Sequence, residues 1–150
     1  MGFTRSLIKS FRIVSMYDEA VDHDHPQLLE KIAEYNKGCD ISVLPVKEGH
    51  ALSIWECRPL TRAQHARVSS GDEDTEEKRI LKAREALTIS LISVSDFKTS
   101  EGVVVKVEHT KVGDEIRVKP EIMELLFDPA VGKELHSRIL RANALNPMNG

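Results

Sequence analysis

Helix starts and hairpin turns alternate along this chain, and that order constrains the fold more than any other feature. "RPLTRAQ" sets Thr61 three residues before Gln64, the spacing of a capping box that opens a helix. "FDPAVG" supplies Asp128 as an N-cap and Pro129 at the first helical position, with Val131, Leu135 and Ile139 as the apolar stripe behind them. Between these, "GVVVKVEHTKVGDEIRVKP" carries a Gly113-Asp114 turn and reads as a short hairpin. Helices interleaved with hairpins argue for an α+β fold: small hairpins packed with four to five amphipathic helices in a single domain.

The remaining elements follow from the same signals. Asp24 stands three before Gln27, with Pro26 between, and should cap a helix striped by Leu28, Leu29, Ile32, Ala33 and Tyr35 and closed at Gly38. "CDISVLPV" and "ALSIWECRPL" are strand-like and joined by "KEGH", so a hairpin is expected there. In its second arm, Leu52 and Ile54 alternate with Trp55 and Cys57. The acidic stretch "SSGDEDTEE" reads as an exposed loop ahead of a long helix with Ile80, Ala83, Leu87 and Leu91 on one face. The β-branched second half of that helix leaves its end open. Pro120 starts a further short helix, and His136, Arg138 and Arg141 are expected towards the negative end of the last one.

The 150 residues suit one domain, and 41% hydrophobic with only 5% aromatic implies a mostly aliphatic core. The segments divide as a basic amphipathic arm over 1–17, a single α+β domain over 18–145 and a frayed tail over 146–150. The arm has Arg5, Lys9 and Arg12 and no acid before Asp18. If helical, it places Phe3, Leu7, Phe11 and Val14 on one face, but "SFRIVSM" reads equally as a strand.

Composition narrows the function classes. A net charge of −3 provides no global field for nucleic acid, and three basic residues in the arm would bind it only weakly, so nucleic acid is not an expected partner. No apolar run approaches the roughly 20 residues of a membrane span, and Lys9 and Arg12 interrupt the N-terminal apolar residues. Cys39 and Cys57 form no CxxC pair and are expected as small buried thiols in a reducing compartment.

The most chemical-looking stretch is "VDHDHP", with Asp22, His23, Asp24 and His25 in a row. Ligands must converge on one ion, whereas neighbours spread about 100° apart on a helix or point to opposite faces of a strand. Only His23 and His25 remain as metal candidates, in extended backbone. The favoured reading is a helix entry with solvated side chains. Nucleophile elbows, phosphate loops and HExxH are absent. Glu56 is the acid nearest to an apolar setting, and a strand-edge place or a pair with Arg58 is expected of it. The residues thus point to no enzyme and no cofactor.

"EGHALSIWECRPLTRAQHARVSS" resembles small accessory proteins of tailed bacteriophages, which carry a glycine turn, an aromatic strand and then "RPLT" opening a helix. The similarity extends loosely over residues 40–146, through the long helix, the short hairpin and the closing helix in which Glu134 and Leu135 begin an "EL…I" pattern. "RPLT", Arg58 to Thr61, is its most specific piece. The resemblance implies a non-enzymatic structural protein of the particle, whether minor capsid, head–tail connector or tail component. Such a protein works through protein surfaces against other virion subunits, homo-oligomeric within the assembly, in the virion and, during assembly, the host cytoplasm. Two alternatives stand beside it: a tail-assembly chaperone not retained in the virion, and a metal-dependent enzyme using His23, Asp24 and His25. On the first reading, the partner-binding residues are those of the arm: Phe3, Arg5, Leu7, Lys9, Phe11 and Arg12. Its apolar residues Phe3, Leu7 and Phe11 are expected to bury against another subunit.

Overall fold

Three chain segments far apart in sequence meet in one small sheet. In the computed structural model, which describes residues 10–38, 40–69 and 71–145, β1 (Phe11–Ile13), β2 (Trp55–Cys57) and β3 (Leu91–Val94) pair antiparallel in the order β1-β2-β3. Trp55 is the hub: it lies opposite Ile13 on one side and Val94 on the other. The alternation of β2 sends Trp55 and Cys57 into the main core, while Ile54 and Leu52 pack on a smaller cluster with Val14, Tyr35 and Leu44.

Among the described residues five helices complete the α+β domain: α1 (Leu28–Gly38), α2 (Arg62–Val68), α3 (Glu76–Ser90), α4 (Pro120–Leu126) and α5 (Pro129–Leu145). The caps read from the sequence form where they are local. Thr61 Oγ1 accepts from Gln64 N at 3.1 Å and Gln64 Oε1 accepts from Thr61 N at 3.0 Å. Asp128 accepts from Ala130 N and Val131 N. α3 and α5 pack on each other, and Ala86, Leu87, Leu135 and Ile139 are buried in the main core. α3 runs into β3 without a loop. Its last turn is β-branched and polar, with Thr88 and Ser90 hydroxyls donating back to Arg84 O and Ala86 O, and Ile89 and Leu91 fully buried.

The hairpin around Gly113 forms as a second sheet, β4 (His109–Val112) with β5 (Glu115–Val118). Gly113 has φ +63 and Asp114 does not share a positive φ, the pattern of a II′ turn with glycine first.

Three expectations are corrected. Asp24 does not cap α1, which begins at Leu28. Asp22 Oδ1 instead takes Asp24 N, and His25 Nδ1 takes Gln27 N, so these residues build a turn before the helix. The hairpin expected between 39–46 and 51–60 does not form among the described residues. Asp40 Oδ1 accepts from Ser42 N and Oγ and folds Ile41–Val43 into a 3-10 turn, while β2 finds its partners in β1 and β3. His136 is not at the helix end but buried within α5, its Nε2 donating to Val68 O at 2.7 Å.

Candidate functional site

The chain after β1 is held by a polar cluster on α5. Glu134 Oε2 accepts from Met16 N at 2.7 Å and Oε1 from Ser15 Oγ at 2.5 Å. Arg138, one turn later, donates to Glu134 at 3.0 Å and to Asn36 Oδ1 at 2.6 Å, and its guanidinium lies 4.7 Å from the Tyr35 ring centroid. Tyr35 is buried and its hydroxyl accepts from Val14 N at 2.8 Å. α1, the strand exit and α5 thus meet through satisfied polar groups, which fixes their relative placement.

Ser15, held by Glu134, also lines a cleft of about 610 Å³. Residues 15–20 form one wall, 49–55 a second, 96–98 a third, and Val131 of α5 contributes from below. Trp55 and Phe97 meet edge to face, 5.7 Å between centroids. Asp18 anchors two walls, accepting from Ala20 N at 2.9 Å and from Ser53 N at 2.7 Å, and Ser53 Oγ donates to Asp96 O at 3.1 Å. Asp96 sits at φ +54, a left-handed conformation that a short acid tolerates better than most side chains. The volume is that of small-ligand or side-chain pockets.

A second concavity of about 260 Å³ lies between α3 and the β4–β5 hairpin. Leu81 and Val112 line it, 60% and 59% exposed, with Val118 and Met123 buried beneath. Its charges are spent on one another: Arg117 grips Glu85 with two bonds of 2.7 Å and Glu115 with a third, and Arg84 pairs with Glu124 at 2.8 Å. Glu115 also takes Gln64 and Arg67. Burial pushes its carboxyl up, but the donors from Gln64, Arg67 and Arg117 outweigh it and bring the pKa down to about 2.

No family model, curated protein or solved structure matches the chain. Among the described residues no helix is long and apolar enough to cross a membrane.

The residues singled out in the sequence fall into three places. Phe3, Arg5, Leu7 and Lys9 lie outside the described residues. Phe11 belongs to β1 and packs half-buried against the chain's own core, and Arg12 is exposed opposite Glu56. Within the segment assigned to the arm, Phe11–Ile13 is therefore strand, and Ile13, Val14 and Ser15 are buried. His23 Nε2 bonds Met16 O at 2.9 Å while His25 bonds Gln27 N, so the two rings serve different backbone partners. No group of three or more His, Cys, Asp or Glu is placed to hold a metal among the described residues. Glu56 accepts from Ser10 Oγ at 2.7 Å, and Arg58 donates instead to Ile89 O and Ile116 O. Sequence reasoning missed Asp18, Asp96 and the Leu81–Val112 pair. Only Glu134 and Arg138, four apart on a helix, carried a local signal of the clamp.

Proposed function

We propose that this chain is a non-enzymatic structural protein of a tailed bacteriophage particle, a minor capsid, connector or tail component, that works by binding neighbouring virion subunits. The observation that supports it is the groove at Leu81 and Val112. Two large apolar side chains, each more than half exposed, border one concavity whose charged walls are neutralised by internal ion pairs. Such a surface offers apolar burial to a protein partner and no unspent charge to a small polar substrate. The resemblance around "RPLT" supplies the setting.

Leu81→Asp and Val112→Asp test this reading. Each is expected to leave the melting temperature nearly unchanged, because the side chains are exposed. Each should also cut retention of the chain in assembled particles by about tenfold, the effect of placing a charge in an apolar contact. Retention at the parental level in both variants would remove the groove from the proposal. A chain that supports assembly yet is missing from finished particles would instead be an assembly factor.

A further inference from the structure

The cleft beside Trp55 has a chemical character that the groove lacks. Its floor is apolar, formed by the buried Trp55 and Ala20 and the half-buried Val131 with the edge of Phe97, while Ala51 lines it as an exposed residue. Its rim carries three carboxylates, Asp18, Glu19 and Asp96, against the single ammonium of Lys98, with His50 between. Among the described residues Glu19 and Asp96 form no ion pair. The hydrogen bond from Ser53 to Asp96 O and the two amides on Asp18 hold the rim in place. A fitting occupant is extended, basic and apolar in alternation, and free of acids.

The chain contains such a segment. Residues 1–9, "MGFTRSLIK", carry Phe3, Arg5, Leu7 and Lys9 at alternate positions, which share one side of an extended chain, and contain no acid. We propose that this segment of one copy docks in the cleft of a second copy, its apolar residues on the floor and its basic residues at Glu19 and Asp96. This inference rests on the proposed role in binding neighbouring subunits, with the arm as a second contact beside the groove. The strand register favours a second copy over the chain's own segment. Ile13 lies opposite Trp55 at the cleft, and Phe11 lies opposite Cys57. Moving back towards residue 10, the chain therefore leaves the cleft end of β2, and the same chain would have to reverse to fill it. Arm and cleft are different surfaces, so two copies close by exchanging arms about a two-fold axis, and an unreciprocated contact closes as a ring or continues as a file.

Sedimentation velocity of the full-length chain at low and high salt tests the proposal. The expected result is concentration-dependent self-association that weakens with salt. Arg5→Glu/Lys9→Glu and, separately, Glu19→Lys/Asp96→Asn should each weaken it about tenfold, as close charge pairs do across interfaces. Asparagine is chosen at position 96 because it tolerates the positive φ, and unchanged melting temperatures verify folding of both variants. Mixing the two variants should restore association, because an acidic arm then meets Lys at position 19. A monomer at every concentration overturns the proposal, and so does an association indifferent to Glu19→Lys/Asp96→Asn. Neither result bears on the groove at Leu81 and Val112, whose test is retention in the particle.

Discussion

Glu134 on α5 accepts the backbone amide of Met16 at 2.7 Å, across 118 residues of sequence. The bond ties the exit of β1 to the helix beneath it, and Arg138 completes it with both side chains less than a fifth exposed. Glu134→Ala removes the acceptor for Ser15 and Met16 and leaves the Arg138 charge half-partnered in a sheltered place. A loss of about 2–4 kcal/mol is expected in urea unfolding, with Glu134→Gln losing less because it still accepts a hydrogen bond. Equal losses for both would show that the carboxylate charge opposite Arg138, and not the accepted hydrogen bond, carries the contribution.

Gly132 has no room for a side chain. A Cβ built there would lie 2.2 Å from Cε1 of Phe127. Gly132→Ala is therefore expected to destabilise by about 1–3 kcal/mol as the ring is displaced. With Phe127→Ala already present, the same substitution should become neutral or stabilising, because alanine is the better helix former by about 1 kcal/mol. A thermal double-mutant cycle without coupling would contradict the contact.

Acid should weaken the fold in two steps. Burial holds the His136 imidazole below its ordinary 6.5, against the bond to Val68 O that favours protonation, with Lys82 and His65 adding repulsion. The folded state thus binds fewer protons than the unfolded one. Stability is full above about pH 6.5 and falls as pH drops below it. Glu115, depressed to about 2 from 4.5, contributes stability above the unfolded value that is lost as pH falls from 4.5 towards 2. His136→Gln should flatten the upper slope of a stability–pH profile, and Glu115→Gln the lower one.

The Cys57 thiol is fully buried, and burial pushes its pKa up to about 12 against the Ser90 hydrogen bond. It is expected to resist alkylation at neutral pH until the chain unfolds. Peptide mapping after iodoacetamide treatment, with and without urea, checks this. Prompt labelling of Cys57 in the native protein would contradict its burial.

What was legible in the sequence was what three to five neighbouring residues decide. Thr61 with Gln64, Asp128 with Pro129 and Gly113 with Asp114 each complete their geometry within one turn, and each forms as read. Asp24 misled because His25 Nδ1 takes the Gln27 amide that an Asp24 cap would need, while Asp22 accepts from the amide of Asp24 itself. The hairpin at 39–60 misled because alternation marks a strand but not its partner: Trp55 pairs with Ile13 and Val94, 42 and 39 residues away. The cleft draws on four separate segments, and no local pattern announces such a convergence. The groove was hidden for the same reason. Leu81 stands off the stripe of Ile80, Ala83 and Leu87, and only the fold brings it beside the exposed Val112 of the hairpin.

Quantitative mass spectrometry of purified particles tests the proposed function most directly. The expected result is this chain at a fixed copy number relative to the major capsid subunit, falling about tenfold in Leu81→Asp particles. Purified, infectious particles that contain none of it would contradict a structural role in the virion.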